Sequence, residues 1–326
     1  MDESNRMPTA VDSPRVADCL RLAADLARYG PQAEAAPVSL AESRAYCCRL
    51  ARSHYENFTV ASWLLPRRLR PHFYHVYAYC RWSDDLADEV QPAAASLALL
   101  DWWQAELDDC YRGATRHPVF VALRETIGQF DLPREPFVDL LTAFRRDQQQ
   151  TRYDTMDELL DYCRYSANPV GRLVLQLDGS YDASRAKLSD SICTGLQLIN
   201  FWQDIRRDHQ RGRVYLPREI CQRFGYDEAM HDRCEFNSAF AETLADLVAR
   251  AETMLTAGRP LIGQVSHTMR IDVELFIRGG LAVARAIRNV DFDVWHTRPT
   301  VSKLAQLRLL ASCAIRNAWD RSEKRP

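Results

Sequence analysis

The sequence contains no apolar run that approaches the roughly 20 residues needed to cross a bilayer, so no transmembrane helix is predicted. Its N-terminus carries charges and lacks the continuous apolar segment of a secretory signal peptide. The ten cysteines show no C-x-x-C pair and no regular spacing, which favours reduced thiols over a disulfide framework. We therefore expect a cytoplasmic chain that has at most a peripheral contact with the inner membrane.

Two further classes are disfavoured by what the sequence lacks. The formal net charge is −2 and no long basic block is present, so nucleic acid is not expected as a partner. Neither G-x-G-x-x-G nor G-x-x-x-x-G-K occurs, so a dinucleotide-binding fold or a P-loop is not supported. No segment shows a sustained two-residue alternation bounded by turn residues, and strands are therefore not predicted.

Helical patterns follow one another from about residue 38 onward. Ser39-Leu-Ala-Glu42 and Thr155-Met-Asp-Glu158 have the form of capping boxes, and Pro169 predicts a kink or break in its helix. Residues 1–37 are rich in Ala, Pro and Asp, which predicts a poorly anchored extension. We predict an all-α fold in which residues 38–326 form one large helical bundle.

The first chemical pattern lies on a helix predicted from Pro71 to about Glu89. Apolar residues at i, i+3, i+4 and i+7 mark its inward face. Extending that face brings in Arg81, Asp84 and Asp88, whereas Asp85 lies about 100° away from it. The apolar residues that define the face are Phe73, Val76, Tyr77 and Cys80.

The second pattern lies within residues 184–209, which otherwise resemble a buried helix because apolar side chains surround its axis. Four polar residues nevertheless recur at intervals of three, four and four, so they share one face. Burying carboxylates is costly unless a positive group meets them, so this face contacts either water or a cation. The four residues are Gln197, Asn200, Asp204 and Asp208.

Together, the two patterns predict an oxygen-only cage between facing helices of a bundle. Such donors favour Mg²⁺ or Mn²⁺ over zinc, and Mg²⁺ prefers phosphate as a co-ligand. We therefore expect a diphosphate-bearing substrate, with Arg81, Arg211 and Arg213 as donors to its oxygens. The alternatives are solvated surface stripes and a simple salt-bridge role for Arg81, but two stripes on faces marked as buried favour the metal site.

Two other patterns have simpler interpretations. Glu228-Ala-Met-His231 has the E-x-x-H spacing of di-iron bundles, but such sites use two copies and no second copy is found. Tyr77 and Tyr165 are more often core aromatics than catalytic groups on composition alone.

Several stretches together resemble the squalene/phytoene synthase family, in the order in which that family has them. The resemblance covers about residues 40–310 and implies the all-α isoprenoid-synthase fold of trans head-to-head prenyl synthases, with a central active-site cavity. The stretches are Tyr77-Ala-Tyr-Cys-Arg81-Trp-Ser-Asp84-Asp-Leu-Ala-Asp88, Tyr162-Cys-Arg-Tyr165-Ser-Ala-Asn-Pro-Val-Gly171, Gln197-Leu-Ile-Asn200-Phe-Trp-Gln-Asp204-Ile-Arg-Arg-Asp208 and Arg211-Gly-Arg213-Val-Tyr215-Leu-Pro217.

The resemblance also implies a role for each matching residue. Tyr165, Tyr77 and Arg81 would be catalytic, with Tyr165 near the reacting carbons. The metal ligands would be Asp84, Asp88, Asn200, Asp204 and Asp208. The substrate-binding residues would be His54, Phe58, Arg81, Gln197, Arg213 and Arg298.

Within the family, His54-Tyr-Glu-Asn-Phe58 and Asn200-Phe-Trp-Gln-Asp204 are similar to the hydroxysqualene synthase branch of bacterial hopanoid pathways. Gln203 stands where phytoene and presqualene diphosphate synthases more often have arginine. The resemblance implies conversion of presqualene diphosphate and water to hydroxysqualene and diphosphate, without NADPH and with possible channelling to other hopanoid-pathway enzymes. The alternatives are head-to-head condensation of two prenyl diphosphates to presqualene diphosphate, squalene or phytoene, and a non-catalytic helical subunit that keeps the fold.

Overall fold

The structure is a computed structural model that describes residues 13–34, 36–53 and 66–323. Over these residues the chain is predominantly α-helical and has no strand, apart from one isolated bridge between Arg152 and Val214, so the predicted all-α class is confirmed. No helix in these ranges is long and apolar enough to cross a membrane. The chain divides into two compact units, Met1–Tyr55 with Tyr74–Asp131, and Glu56–Phe73 with Leu132–Pro326.

The first unit is built from helices that precede residue 132. Helix α3 enters this unit at Tyr74, and α5 packs against both α2 and α4. The described helices are α1 (Ser13–Tyr29), α2 (Leu40–Ser53), α3 (Arg70–Asp88), α4 (Ala93–Arg112) and α5 (Pro118–Phe130).

Aromatic side chains fill the core of the first unit. Trp82 of α3 stacks on Trp103 of α4, with ring centroids 5.1 Å apart, and His117 meets both rings edge-on at 4.7 and 4.8 Å. Burial lowers the pKa of His117 to about 3, so its ring is neutral, and Nδ1 accepts a hydrogen bond from the backbone N–H of Val119 at the start of α5. The side of α3 that carries Trp82 is therefore the side that packs into this core.

Helix α1 is held within the first unit by both apolar and polar contacts. Leu22 is 3% exposed. Arg21 is paired with Asp85 of α3, and Tyr46 of α2 donates a hydrogen bond to Asp25 at 2.8 Å. Within residues 1–37, which the sequence predicts to be a poorly anchored extension, α1 is thus held by partners on two other helices.

The second unit is organised around α9, which is 28 residues long and packs against α8, α12 and α13. Its other helices are shorter. The described helices are α6 (Glu135–Asp147), α7 (Met156–Ser166), α8 (Asn168–Asp178), α9 (Ala183–Gln210), α10 (Arg218–Arg223), α11 (Glu228–Asp232), α12 (Ser238–Ala257), a 3₁₀ helix (Arg259–Gly263), α13 (His267–Asn289) and α14 (Lys303–Glu323).

Both predicted capping boxes begin helices. The backbone N–H of Ser39 donates to the Glu42 carboxylate at 3.0 Å, and the N–H of Glu42 donates to the Ser39 hydroxyl at 3.2 Å. At the second box the Thr155 hydroxyl accepts from the N–H of Glu158, but the Glu158 carboxylate accepts from the N–H of Asp154. Each arrangement satisfies N–H groups that a helix start leaves without partners.

Helix α7 ends at Ser166 and α8 begins with Asn168-Pro169, so the helical pattern breaks just before the proline, as a proline inside such a pattern predicts. Two residues beyond Pro169, Gly171 allows α8 to approach α9 closely. A Cβ atom at Gly171 would lie 2.3 Å from the Ser189 hydroxyl and 2.5 Å from the Cys193 sulfur. Glycine is therefore needed here for packing against the central helix.

Candidate active site

The first acidic stripe consists of Arg81, Asp84, Asp85 and Asp88 on α3. The Asp84 side chain is 48% exposed and Asp88 is half-buried, whereas Asp85 is 1% exposed. The Arg81 guanidinium lies 3.6 Å from the Asp84 carboxylate and 2.6 Å from that of Asp85. The stripe is therefore divided into one buried carboxylate and two that solutes can reach.

The inward face predicted for α3 is wrong in one respect, because the buried acid is Asp85. Trp82 and Leu86, both fully buried, place the core side of the helix next to Asp85. Arg81 and Arg21 of α1 both pair with this carboxylate. Burial raises the pKa of Asp85, and the two guanidinium groups oppose that shift. Asp85 thus acts as the centre of an ion-pair cluster inside the first unit.

The second polar stripe consists of Gln197, Asn200, Asp204 and Asp208 on α9. Asn200 is exposed and the other three side chains are half-buried. The expectation that this stripe lies on a buried face is therefore wrong, because only the remaining faces of the helix are buried. The buried residues of the same turns are Leu198, Ile199, Phe201, Trp202, Gln203 and Ile205.

Asp204 interrupts the regular geometry of α9. Its backbone angles are φ −107° and ψ 16°, which fall outside the helical region and mark a kink. The final turn of α9, which carries Asp208, therefore departs from the axis set by the preceding turns. The two carboxylates are four residues apart, so the kink changes their orientation relative to each other.

Arg298 binds the Asp204 carboxylate with two hydrogen bonds. Its Nε donates at 2.7 Å and its Nη2 at 3.2 Å, one to each carboxylate oxygen. Arg207 adds a weaker contact at 3.7 Å. The structure thus brings together a predicted metal ligand and a predicted diphosphate ligand that are 94 residues apart in the sequence.

The segment that carries Arg298 is tied to α9 at two further points. The Gln203 side chain is 9% exposed and donates from Nε2 to the carbonyl of Pro299 at 2.6 Å. Arg206 donates to the carbonyl of Trp295 at 3.2 Å. These two side chains hold the backbone on either side of Arg298, so they fix the position from which its guanidinium reaches Asp204.

Arg213 follows α9 immediately and is placed by a tight turn. Its backbone N–H donates to the carbonyl of Asp208 at 2.9 Å, and Gly212 adopts φ +73°. The next N–H, that of Val214, donates to the carbonyl of Thr151 at 2.7 Å. Glycine at position 212 supplies the left-handed backbone that this turn requires.

The two tyrosines predicted to be catalytic have different surroundings. Tyr165, on α7, is half-buried, and the guanidinium carbons of Arg146 and Arg164 lie 4.5 and 5.3 Å from its ring centroid. Tyr77, on α3, is also half-buried, and burial raises the pKa of its hydroxyl to about 12. The Tyr165 ring therefore already holds cations against its π-system, as a ring that steadies positive charge would.

A buried tyrosine–carboxylate network beside α9 was not predicted. The Tyr162 hydroxyl donates to Asp147 at 2.8 Å and that of Tyr215 at 3.4 Å. Tyr215 stacks on Phe201, with centroids 3.8 Å apart and planes 10° apart. Asp147 belongs to none of the motifs and lies 15 residues before Tyr162, so only the repeated tyrosines around the motifs indicated this network.

Two predicted substrate-binding residues, His54 and Phe58, lie outside the described residues. The two stripes lie in different compact units, so their joint use of one metal cluster stays a prediction. Within the second unit, Asp204 and Arg298 are in contact, and Asp208 and Arg213 are linked through the backbone.

The all-α fold, with acidic residues on two of its helices, is that of the isoprenoid synthases. The squalene/phytoene synthase model matches residues 51–305. Hydroxysqualene synthases from Rhodopseudomonas palustris and Sinorhizobium fredii are 33% and 34% identical over 269 and 274 residues, which cover 81% and 82% of this chain and 91% and 92% of theirs. The chain therefore belongs to the squalene/phytoene synthase family, whose members act on prenyl diphosphates.

A solved structure gives the same assignment of the fold. The crystal structure of squalene synthase HpnC from Alicyclobacillus acidocaldarius is 44% identical, with a TM-score of 0.75, and covers 79% of this chain and 97% of that protein. The names of these relatives differ in the product, which is hydroxysqualene for two of them and squalene for the third.

Proposed function

We propose that the chain converts presqualene diphosphate and water to hydroxysqualene and diphosphate. The observation that carries this proposal is Gln203, a neutral and buried side chain whose amide is committed to the Pro299 carbonyl. Condensing members of the family more often have arginine at this position, and condensation requires binding of two diphosphates. A neutral amide here leaves one cation fewer for a second diphosphate, and two relatives named hydroxysqualene synthase support this reaction.

The residues of the two stripes fit Mg²⁺, with Mn²⁺ as a substitute. Every donor is a carboxylate or amide oxygen, and the Arg298 guanidinium already places a cation on Asp204. When bound, the metal would supply Lewis-acid stabilisation of the leaving diphosphate. The residues proposed to hold it are Asp84, Asp88, Asn200, Asp204 and Asp208.

Positive side chains of this protein would hold the diphosphate oxygens. Arg298 is positioned beside Asp204, and Arg213 follows directly after Asp208. Charge-assisted hydrogen bonds from such groups become stronger as negative charge develops on the leaving group. Arg298 has to share or release Asp204 in order to bind diphosphate, so substrate binding and rearrangement of this pair are coupled.

Aromatic faces would steady the positive charge left on the isoprenoid carbons. Tyr165 fits this role because its ring already contacts two guanidinium groups. Tyr77 lies on the same helix as Arg81, Asp84 and Asp88, one turn before Arg81. The C–O bond to diphosphate breaks, and the cyclopropylcarbinyl cation that results rearranges with opening of its three-membered ring. Capture of the cationic carbon by water then forms the new C–O bond, and the water proton passes to solvent or to the released diphosphate.

The test supplies purified protein and Mg²⁺ with presqualene diphosphate or farnesyl diphosphate, separately, followed by product identification. We expect hydroxysqualene from presqualene diphosphate, with ¹⁸O from labelled water in the hydroxyl group. Rapid consumption of farnesyl diphosphate alone would contradict the proposal.

A second candidate, synthesis of squalene, is favoured by the name of the 44% identical structure. It differs in the final step, where a hydride from NADPH would replace water. Addition of NADPH to the same incubation distinguishes the two, because squalene forms only if the hydride is used. Peripheral membrane contact and channelling stay predictions and do not affect this test.

A further inference from the structure

A cluster of imidazole and carboxylate groups lies at the end of α9, outside the two stripes. His209 belongs to the last turn of α9, and His231 and Asp232 end α11. One ligand atom from each of the three lies within 4.8 Å of the others, and the two imidazole rings are 5.1 Å apart. Ligand atoms at these separations can converge on one ion after small side-chain rotations.

His231 has the properties of a ligand rather than of a packing residue. It is 5% exposed, and among the described residues its Nδ1 atom has no hydrogen-bond partner, although the Asp232 carboxylate lies 3.9 Å away. Burial lowers its pKa to about 4, so the ring is neutral at pH 7, which is the form that binds metal. A buried ring nitrogen normally has a partner, and an ion would provide one here.

Cys234 provides a further sulfur atom beside the cluster. It adopts φ +53°, and its backbone N–H donates to the carbonyl of His231 at 2.9 Å. This turn brings its sulfur within 3.7 Å of Nδ1 of His209. The sulfur is thus placed either to bind an ion directly or to orient the His209 ring from outside.

The charged side chains around the cluster carry a net negative charge. Arg152 is shared between Asp232, at 3.2 Å, and Glu228, and Arg218 is shared between Asp154, at 2.7 Å, and Glu228, at 3.8 Å. Three carboxylates therefore face two guanidinium groups. The residual negative charge favours a positive ion next to Asp232.

An aromatic ring packs against the cluster, and a cavity opens beside it. Trp295 meets His209 and His231 edge-on, with centroids 5.5 and 5.2 Å away. On another side, His231 lines a cavity of 280 Å³ together with Arg152, Glu228 and Tyr226. An ion can reach the cluster through this cavity, which a usable metal site requires.

We propose that His209, His231 and Asp232 form a binding site for a zinc-class divalent ion, distinct from the oxygen donors of the two stripes. Imidazole nitrogens favour zinc over Mg²⁺, and two histidines with one carboxylate make a known zinc ligand set. The ion would join the end of α9 to α11. Because His209 directly follows Asp208, it would also fix the final turn of the second polar stripe.

Zinc binding to the full chain, stripped of metal by a chelator and kept in saturating Mg²⁺, tests the proposal. Calorimetry is expected to show one zinc ion per chain, bound at least about tenfold more weakly in Asp232→Asn and in His231→Gln. Asp232 is 56% exposed, so its substitution does not threaten folding. Equal zinc affinity in the wild type and in Asp232→Asn would overturn the proposal.

Two controls separate this site from others. His296→Gln removes an exposed histidine that pairs with Asp293 at 2.8 Å but belongs to no group of three candidate ligands among the residues that the structure describes, and should leave zinc affinity unchanged. Asp204→Ala should also retain zinc binding, so this test is independent of the proposed function. Loss of zinc binding in Asp204→Ala but not in Asp232→Asn would place the ion at the second polar stripe and overturn the proposal.

Spectroscopy gives a second readout that aromatic packing alone would not produce. Bound Co²⁺ should quench the fluorescence of Trp295, because that ring contacts both histidines. Trp295→Phe should reduce the quenching, with a remainder from Trp202, which lines a pocket together with His231, and should leave Co²⁺ binding intact. Quenching of unchanged amplitude in Trp295→Phe would contradict this position for the ion.

Discussion

The two stripes use arginine in opposite ways. In the first acidic stripe the arginines meet Asp85, which is buried, while Asp84 remains 48% exposed. In the second polar stripe the arginine meets Asp204, a half-buried acid at the kink of α9. The first stripe therefore separates a structural carboxylate from the candidate ligands, whereas in the second stripe one carboxylate has to serve both purposes.

This difference predicts which substitutions affect turnover and which affect folding. A carboxylate that only holds helices together can be replaced at a cost in stability, whereas a metal ligand can be replaced at a cost in rate. The first stripe contains both types at adjacent positions, Asp84 and Asp85, and so provides its own control. In the second stripe Asp204 has no such neighbour, so the control substitution has to be made at another acid of the second unit.

The largest effect is expected from loss of a candidate ligand. Asp84→Ala and Asp204→Ala should each lower kcat/KM by about 1000-fold, because charge on the leaving group loses its stabilisation. Steady-state kinetics gives the rate, and circular dichroism should show an unchanged helical signal. Asp246→Ala is the matched control for Asp204, since Asp246 is 28% exposed and pairs with Arg250 at 2.6 Å on α12. Full activity of either ligand variant would refute the metal assignment.

The next effect concerns stability and separates the neighbours Asp84 and Asp85. Asp85→Ala should lower the free energy of unfolding by about 3 kcal/mol, because it leaves Arg21 and Arg81 without their buried partner. Asp84→Ala should change it by less than about 0.5 kcal/mol, since that side chain is exposed. Urea unfolding measures both values. Equal destabilisation by the two substitutions would mean that the burial of Asp85 does not explain its contribution to stability.

The fold was predictable from the sequence because its signals are local. The capping pairs at Ser39 and Thr155 and the break at Pro169 each act within a few residues, and each predicted helix boundary was found there. The packing side of α3 was not predictable in the same way. Both Tyr77 and Trp82 are apolar enough to face a core, and only the partners from α4 and α5 select the side with Trp82.

The candidate site was predictable in its residue types but not in its contacts. The stripes follow from helical spacing, which sequence states directly. The contact of Arg298 with Asp204 spans 94 residues, and the cluster of His209 with His231 spans 22 residues, so neither has a local pattern. Such pairs depend on how the elements pack, which one sequence does not specify.

Asp272 tests whether the arginines explain the behaviour of Asp85. Both acids are 1% exposed, but the Asp272 oxygens have no hydrogen-bond partner in the described part of the chain. Burial, followed by the charge of Asp178, raises the pKa of Asp272 to about 8. The folded state therefore holds a proton that the unfolded chain releases above about pH 4, so stability falls as pH rises from there towards 8. The advantage of Asp272→Asn over the wild type should grow by about 2.5 kcal/mol between about pH 5 and pH 7.

Urea unfolding at several pH values measures this difference. Asp85→Asn provides the comparison, and its gain with pH should be smaller, because two guanidinium groups oppose the rise in the pKa of Asp85 that burial causes. A constant difference between Asp272→Asn and the wild type across this range would show that Asp272 is ionised in the folded protein.

The smallest expected effect concerns the arginine that occupies Asp204. Gln203→Leu removes the hydrogen bond to the Pro299 carbonyl and loosens the segment that carries Arg298. We expect KM for the diphosphate substrate to rise about tenfold, the value of one buried hydrogen bond, with little change in kcat. The Mg²⁺ concentration for half-maximal activity should fall, because a loosened Arg298 competes less for the Asp204 carboxylate.

These opposite shifts distinguish a positioning role from a general loss of structure, which would weaken binding of both metal and substrate. Arg206→Ala should produce the same two shifts at a smaller size, because Arg206 also holds the segment of Arg298, through the carbonyl of Trp295, but is exposed. If Gln203→Leu raised both KM and the Mg²⁺ concentration for half-maximal activity, Gln203 would only support the fold. Only the contact of Arg298 with Asp204 would then distinguish the second stripe from the first.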